Sequence, residues 1–300
     1  MQNIVDLTQT LEEETLSSQS LLYEKWTKKF YEFLLARVSS DAVKERMKYV
    51  YDNLSLFLVE EGTIIPRTRD GRDFSVPMPN RGGVYIVEDI TTTLDENKRL
   101  NAAIKPAVAI KPKGHSIATF IHELSHAFSS TMKYSDADGA FYKCGLDNKE
   151  MKNGEFENRS GDFLNEGMTD AIAKIFYDMH IEEIKQDFPK KQKIGKPKYN
   201  FPVGYDSIWP LMDMLGEGLS NKLLMDAYFG GKEELLAFEN HFDELMKDEG
   251  ITFKELNSLY YETYTYEGED SDLSKLKRYA LIYKQKYYQL QIAQEDVVKL

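Results

Sequence analysis

The sequence predicts an α+β protein that is mainly helical, with a small mixed sheet in its first half and a helical C-terminal lobe. Three observations carry this prediction. Apolar residues recur at helical spacing within the first sixty residues, two short β-branched runs follow, and helical patterns dominate the chain after residue 160. The order of helix, then a little sheet, then mostly helix is typical of an α+β fold with two lobes.

The first half of the chain contains patterns of both helix and strand. From Leu21 to Val38 the apolar residues fall on one side of a helix. Several Pro and Gly residues between Glu61 and Gly83 predict turns. Two runs rich in β-branched residues then predict short strands, at Val84–Val87 and at Ala107–Ile110.

The rest of the chain is predicted to be helical, apart from one hairpin. We expect helices from Ser116 to Met132, from Gly161 to Ile184 and from Leu273 to Val298, because apolar residues recur there at helical spacing. Ala140–Cys144 is expected to form one arm of the hairpin. Thr252-x-x-Glu255 is a capping box, which predicts that a further helix begins at this point.

These patterns divide the chain into three segments. We expect an N-terminal helical segment, residues 1–75, packed on a central lobe, residues 76–200, and a helical C-terminal lobe, residues 201–300. A chain of this length can bury a sizeable core, either as one large domain or as two modest ones.

Composition and charge restrict the class of protein. The formal net charge is −12, which argues against nucleic acid as a partner because phosphate binding needs a basic surface. No apolar run is long enough to predict a membrane span. The single cysteine, Cys144, fits a reducing compartment, and Glu12, Glu13 and Glu14 stand where a secretory signal would be apolar. A cytoplasmic location is therefore expected, with leaderless secretion as the alternative, and no pattern predicts an oligomeric state.

One basic run stands out in this acidic chain, between Lys190 and Lys198. A solvated, mobile loop explains it without any further function. The alternative is a lid, or a contact for an acidic substrate, beside a functional site.

The segment from His122 to His126 contains the pattern H-E-x-x-H. Helical residues four apart lie on one side, one turn apart, so both imidazoles can reach one tetrahedral ion at about 2.0–2.1 Å. Glu123 points in a neighbouring direction, where it can touch water without binding the metal. The apolar residues form the opposite face: Ile117, Phe120, Ile121, Leu124 and Phe128. Two histidines hydrogen-bonded inside a helix interface would produce the same pattern without a metal.

A zinc site of this kind needs a third protein ligand. The extended pattern with a third histidine fails here, because Ser129 and Met132 occupy the required glycine and histidine positions. The next predicted helix supplies an alternative, since Glu166 and Asp170 share the face opposite its apolar stripe. Glu166 can complete the coordination, and Asp170 can accept the free ring N–H of a zinc-bound histidine and so fix its tautomer.

With these residues the chain resembles the gluzincin metallopeptidases, the thermolysin-like clan, whose pattern is H-E-x-x-H followed by a helix with N-E-x-x-x-D. Both halves of the pattern are matched, by His122, Glu123, His126, Asn165, Glu166 and Asp170. The run Leu164–Asp170 is also similar to one in uncharacterised zinc-peptidase-like proteins of Gram-positive bacteria. The resemblance extends from about Val84 to about His180, and the segment between the two halves of the pattern is longer than in thermolysin.

The resemblance implies a zincin-like fold, with the small sheet above the active-site helix, and one catalytic Zn²⁺. His122, His126 and Glu166 would be the metal ligands, and Asp170 would hold a histidine in place. Glu123 would be the general base in hydrolysis of a peptide or protein substrate, most simply as an endopeptidase.

Such enzymes also supply a hydrogen-bond donor to the developing oxyanion. Tyr205 is the first candidate, because a glycine precedes it and a helical run follows; Tyr199 is the second and His241 the third. The peptide substrate is expected along an edge strand, and either of the two predicted strands could be that edge.

Three other hypotheses remain open from the sequence. The fold could serve as a binding module without peptidase activity, although Glu123 would then have no role. The protein could be a toxin or effector protease that acts on one protein in another cell. The H-E-x-x-H pattern could also be accidental, in which case no zinc would bind.

Overall fold

We describe the chain from a computed structural model, which covers residues 3–6, 13–59, 64–69, 72–77, 83–94, 100–110, 117–135, 139–152, 155–160, 162–188, 219–265 and 270–298. Within these ranges helices predominate and small sheets accompany them. The predicted fold class, a mainly helical α+β protein, is confirmed.

Helices and strands alternate in the first half of the chain. Its described elements are, in order, β1 (Asn3–Asp6), α1 (Glu13–Leu35), α2 (Asp41–Asn53), β2 (Ser55–Leu58), β3 (Ile64–Arg69), β4 (Arg72–Pro77), β5 (Gly83–Leu94) and β6 (Leu100–Ile110). The sequence patterns do not predict β1 to β4. Every residue of β2 is buried, so its apolar run lacks the alternation that identifies a half-buried strand. The β3–β4 hairpin lies in the stretch that was expected to form turns.

Four of these strands form a mixed sheet in the order β1-β2-β6-β5. The strands β1, β2 and β6 are parallel, and β5 pairs with β6 in the antiparallel sense. Among the described strands β5 therefore forms one edge of this sheet. Of the two predicted strands, Val84–Val87 belongs to that edge, whereas Ala107–Ile110 lies in the interior between β2 and β5.

The helix that carries the H-E-x-x-H pattern is α3 (Ile117–Ser129), and it ends earlier than the predicted Met132. The half-buried Arg46 of α2 explains this end, because its guanidinium donates to the carbonyls of Phe128 at 2.7 Å and Ser130 at 2.8 Å. These carbonyls are thereby satisfied without a further helical turn. Four antiparallel strands follow: β7 (Ser130–Ser135), β8 (Gly139–Cys144), β9 (Asp147–Lys152) and β10 (Glu155–Ser160). The predicted hairpin arm at Ala140–Cys144 is confirmed as β8.

The remainder of the described chain is helical. Its helices are α4 (Asp162–Met179), α5 (Ile181–Asp187), α6 (Lys222–Phe229), α7 (Lys232–Met246), α8 (Phe253–Thr265) and α9 (Asp270–Val298). The single helix predicted to Ile184 is divided at His180 into α4 and α5. The capping box is confirmed at the start of α8, where Thr252 N donates to Glu255 Oε2 at 2.8 Å and Glu255 N to Thr252 Oγ1 at 3.2 Å. No helix in the described ranges combines the length and apolar character needed to cross a membrane.

Aromatic side chains of α1 pack against both α3 and α4. The ring of Tyr23 meets Phe120 of α3 edge-on, with centroids 4.9 Å apart. Phe30 contacts Phe128 of α3 and Phe176 of α4, at centroid distances of 6.1 and 5.1 Å. All five rings are buried in one hydrophobic cluster, so α1 fixes α3 and α4 against a common surface.

Candidate metal centre

The two histidines of α3 project from the helix into a buried site. The apolar face predicted from the sequence is fully buried, which fixes the rotation of the helix about its axis. His122 and His126 are also buried, with 4% and 8% of their surfaces exposed. Buried polar rings need hydrogen-bond or metal partners, and the neighbouring helix supplies them.

Glu166 of α4 brings its carboxylate to both histidine rings. Its Oε2 lies 3.4 Å from His122 Nε2, and its Oε1 lies 3.3 Å from His126 Nε2. The two Nε2 atoms are 3.1 Å apart. Two nitrogens and a carboxylate thus face one point, and these three residues form a group that could hold a metal ion. The structure therefore brings together the three residues that the sequence predicts as ligands.

Asp170 holds the His122 ring from the side opposite Glu166. The Nδ1 atom of His122 lies 2.7 Å from Asp170 Oδ1, and both residues are buried. Because an ionised carboxylate only accepts, Nδ1 carries a proton, and in the neutral ring the Nε2 lone pair is directed at the shared point. This is the tautomer that a metal ligand requires.

Backbone and side-chain contacts fix the part of α4 that carries Glu166. Asn165 Oδ1 accepts from Leu146 N at 3.1 Å, in the turn between β8 and β9. Thr169 Oγ1 donates to Asn165 O at 2.8 Å and lies 2.5 Å from the hydroxyl of Tyr228 on α6. Two of these contacts come from outside α4, one from the β8–β9 turn and one from α6, so the position of Glu166 is set by the assembled fold and not by α4 alone.

The burial and charge of the site shift the pKa values of its groups. Burial opposes protonation of His122, but hydrogen bonds to Asp170 and Glu166 outweigh it and raise the pKa of that ring to about 9. The pKa of His126 is also raised, chiefly by Glu166 acting against burial. Burial alone would raise the pKa of Glu166, but the two imidazoles hold it well below its ordinary value. The carboxylate and the protonated imidazoles therefore attract one another, and a cation that binds between them must take the place of the ring protons.

We expect these shifts to make metal affinity depend on pH in a defined direction. A metal binds neutral imidazole, so an ion must displace the ring proton of His122, whose pKa is about 9. The apparent affinity should therefore rise as the pH increases towards 9, by about tenfold per pH unit for each displaced proton. Chelator competition with Zn²⁺ across this range measures the slope. An affinity independent of pH below 9 would contradict the assigned protonation.

Asp170→Asn should weaken zinc binding by about 10- to 100-fold, the usual cost of losing a partner that orients a histidine ligand. The amide has no negative charge, and its NH₂ group can face the ring nitrogen, which disfavours the required tautomer. Asp178→Asn is a matched control, because Asp178 lies on the same helix, is exposed and pairs with Lys174. Equal zinc affinities of the two variants, measured by chelator competition, would contradict the role of Asp170.

Glu123 lies beside the centre without joining the donor cluster. Its Oε2 accepts from the backbone N–H of Tyr85 on β5 at 2.7 Å. Gly83 at the start of the same strand leaves room for it, since a Cβ there would stand only 3.0 Å from Glu123 Cγ. The edge strand and the carboxylate are therefore in direct contact, a proximity that spacing in the sequence does not reveal.

The other predicted site residues are the three candidate oxyanion donors and the basic run. Tyr205 and Tyr199 lie outside the described residues, as does the basic run Lys190–Lys198. His241 lies on α7, where its ring packs against Tyr287 of α9 at a centroid distance of 6.1 Å. The contacts of the described residues do not test the roles predicted for Tyr205, Tyr199 and His241.

Sequence reasoning missed one neighbour of the centre. The Sγ of Cys144, at the end of β8, lies 3.6 Å from His126 Nδ1. No local pattern could identify this contact, because it depends on the return of the chain through β7 and β8.

Comparison with protein-family models, with curated proteins and with solved structures finds no match, so the geometry of the centre carries the functional interpretation.

Proposed function

We propose that this protein is a zinc-dependent metallopeptidase of the gluzincin type, acting as an endopeptidase. One observation carries the proposal: the two Nε2 atoms lie 3.1 Å apart, and the Glu166 carboxylate faces both of them, with Oε1 at 3.3 Å from His126 and Oε2 at 3.4 Å from His122. Ligands at about 2.0–2.1 Å from a tetrahedral zinc ion are about 3.3–3.4 Å apart. The 3.1 Å between the two imidazole nitrogens is close to this spacing, and one donor atom from each of His122, His126 and Glu166 lies within 4.8 Å of the other two, which supports a single shared zinc ion.

The number and chemistry of the donors also support zinc. Two imidazoles and one carboxylate suit this metal, whereas Mg²⁺ and Ca²⁺ prefer shells of oxygen ligands. Three protein ligands are typical of catalytic zinc sites, and structural sites have four. Asp170 adds the hydrogen bond that usually orients a zinc-binding histidine.

Glu123 is the proposed general base. A zinc ion held by the three ligands would act as a Lewis acid that acidifies water and polarises a carbonyl. The Glu123 carboxylate takes a proton from the attacking water and delivers it to the nitrogen of the leaving amine. The Tyr85 N–H holds this carboxylate by one oxygen, at 2.7 Å, and leaves the other oxygen for the proton.

The remaining functional assignments complete the proposal. Tyr205 is the proposed donor to the developing oxyanion, with Tyr199 and His241 as alternatives. A peptide substrate would lie along β5, because this edge strand begins beside Glu123. The substrate is then an extended protein or peptide segment.

The proposal is tested by incubating the zinc-loaded full chain with a diverse peptide library and identifying the products by mass spectrometry. We expect cleavage that stops after treatment with a chelator and returns when zinc is added. Cleavage of one protein target alone would support the effector hypothesis. Stoichiometric zinc without cleavage of peptides or proteins would favour a binding module, and a chain that binds no zinc would overturn the centre itself.

A further inference from the structure

Different chemical groups contact the Nδ1 atoms of the two histidine rings. Asp170 Oδ1 contacts His122 Nδ1 at 2.7 Å, whereas Cys144 Sγ contacts His126 Nδ1 at 3.6 Å. A nitrogen–sulfur hydrogen bond is longer than one to oxygen because the sulfur atom is larger. The second histidine thus has a thiol at the position where the first has a carboxylate.

The hairpin that follows α3 places Cys144 at this position. Cys144 pairs with Ser130, so the last residue of β8 lies beside the first residue of β7. Gly145 then donates its N–H to the carbonyl of Ser129, at 3.3 Å, and turns the chain in a left-handed conformation with φ +60°. A Cβ at Gly145 would overlap the carboxamide of Asn165, so this turn is packed directly against α4. The hairpin is therefore anchored to both helices of the centre.

The surroundings of the sulfur are polar, which distinguishes it from a cysteine that only fills space. Its Sγ lies 3.7 Å from the carbonyl of His126 and 3.9 Å from Ser129 Oγ, in addition to the ring contact. Cys144 is buried, with 8% of its surface exposed. Buried thiols commonly act as small apolar groups, but this one is surrounded by groups that can form hydrogen bonds with it.

We propose that Cys144 is a positioning residue for the zinc ligand His126: its sulfur accepts the Nδ1–H of the ring, so that Nε2 presents its lone pair to the metal. This inference rests on the proposed zinc centre. A histidine that binds a metal through Nε2 must carry its proton on Nδ1, and an acceptor beside Nδ1 fixes both the tautomer and the ring orientation. Asp170 does this for His122, and Cys144 does it for His126.

The test compares the zinc affinity of full-length variants at position 144 by chelator competition. Cys144→Ala and Cys144→Val both remove the acceptor, but valine keeps the side-chain volume. We expect both to bind zinc about tenfold more weakly, at the lower end of the range for such partners because sulfur is a weak acceptor. Cys144→Ser restores an acceptor and should recover part of the loss.

A matched control separates positioning from packing. Ser125 is buried on α3 between the two histidines, and its Oγ donates to the carbonyl of Ile121 at 2.9 Å. Ser125→Ala should therefore alter the same helix and leave the zinc affinity within about twofold, as expected of a change that removes no ligand partner. The NMR signal of the His126 Nδ1 proton in the zinc-loaded protein provides a second readout, and it should exchange faster with water in the valine variant than in the wild type.

The outcomes distinguish this inference from the proposed function. A wild-type chain without stoichiometric zinc would overturn the centre, and the positioning role with it. A wild type that binds zinc, together with a valine variant of equal affinity and equally protected Nδ1 proton, would overturn only the role of Cys144. Thermal unfolding of each metal-free variant shows whether it folds. If the alanine variant does not fold, the zinc affinities of the serine and valine variants decide whether Cys144 positions His126.

Discussion

Replacing Glu166 by alanine should abolish stoichiometric zinc binding. The variant loses the only carboxylate in the three-residue donor group, and it leaves two facing imidazoles without the charge that holds them together. We expect the zinc affinity to fall by more than about a hundredfold, because losing a ligand exceeds the 10- to 100-fold cost of losing a partner of a ligand. Elemental analysis after dialysis and chelator competition both measure this change.

A second glutamate offers the matched control for this variant. Glu182 lies on α5, is exposed and pairs with Lys185 at 2.8 Å, so Glu182→Ala removes the same charge from the chain at a distance from the donor atoms. Its zinc content should equal that of the wild type. Stoichiometric zinc of unchanged affinity in the Glu166 variant would show that the ion, if any, binds elsewhere, and the peptidase proposal would fail.

Replacing Glu123 by glutamine should retain zinc and reduce turnover by about 10²- to 10⁴-fold, the usual contribution of a general base. Glutamine keeps the side-chain volume, and its amide oxygen can still accept from the Tyr85 N–H, which the carboxylate contacts at 2.7 Å. The ability to take a proton is lost, together with one negative charge. The rate of cleavage of a library-selected peptide, measured beside zinc content, separates chemistry from metal binding.

Glu182→Gln controls for the general effect of this substitution and should cleave the same peptide at the wild-type rate. If Glu123→Gln also retained that rate, another group would have to accept the proton. A loss of zinc in the glutamine variant would indicate instead that Glu123 supports the donor cluster.

The helices of the centre could be predicted because their signals are local. Apolar periodicity identifies α3 and α4, and the spacing of His122, His126 and Glu166 on their opposite faces predicts that the three donor groups meet. The convergence itself depends on packing, which the pattern cannot supply. The H-E-x-x-H pattern favours this convergence, and the proximity of the two Nε2 atoms and the Glu166 carboxylate in the structure agrees with it.

The features that were missed depend on contacts between distant segments. The end of α3 at Ser129 is set by Arg46 of α2, whose guanidinium donates to carbonyls at the end of this helix. The local sequence of α3 gives no sign of this contact. The strand β2 is recognisable only once β1 and β6 flank it. The contact of Cys144 with His126 follows from the register of β7 and β8, which a slip by one residue would destroy.

The aromatic contacts of α1 have a consequence for how the centre could be inactivated. Tyr23 packs on α3, and Phe30 packs on both α3 and α4, so a segment far upstream of the ligands fixes the two helices that carry them. Proteolytic removal of this segment would leave His122, His126 and Glu166 chemically intact but free to separate. Cleavage that removes α1 should then lower the zinc affinity of the centre without changing any donor atom.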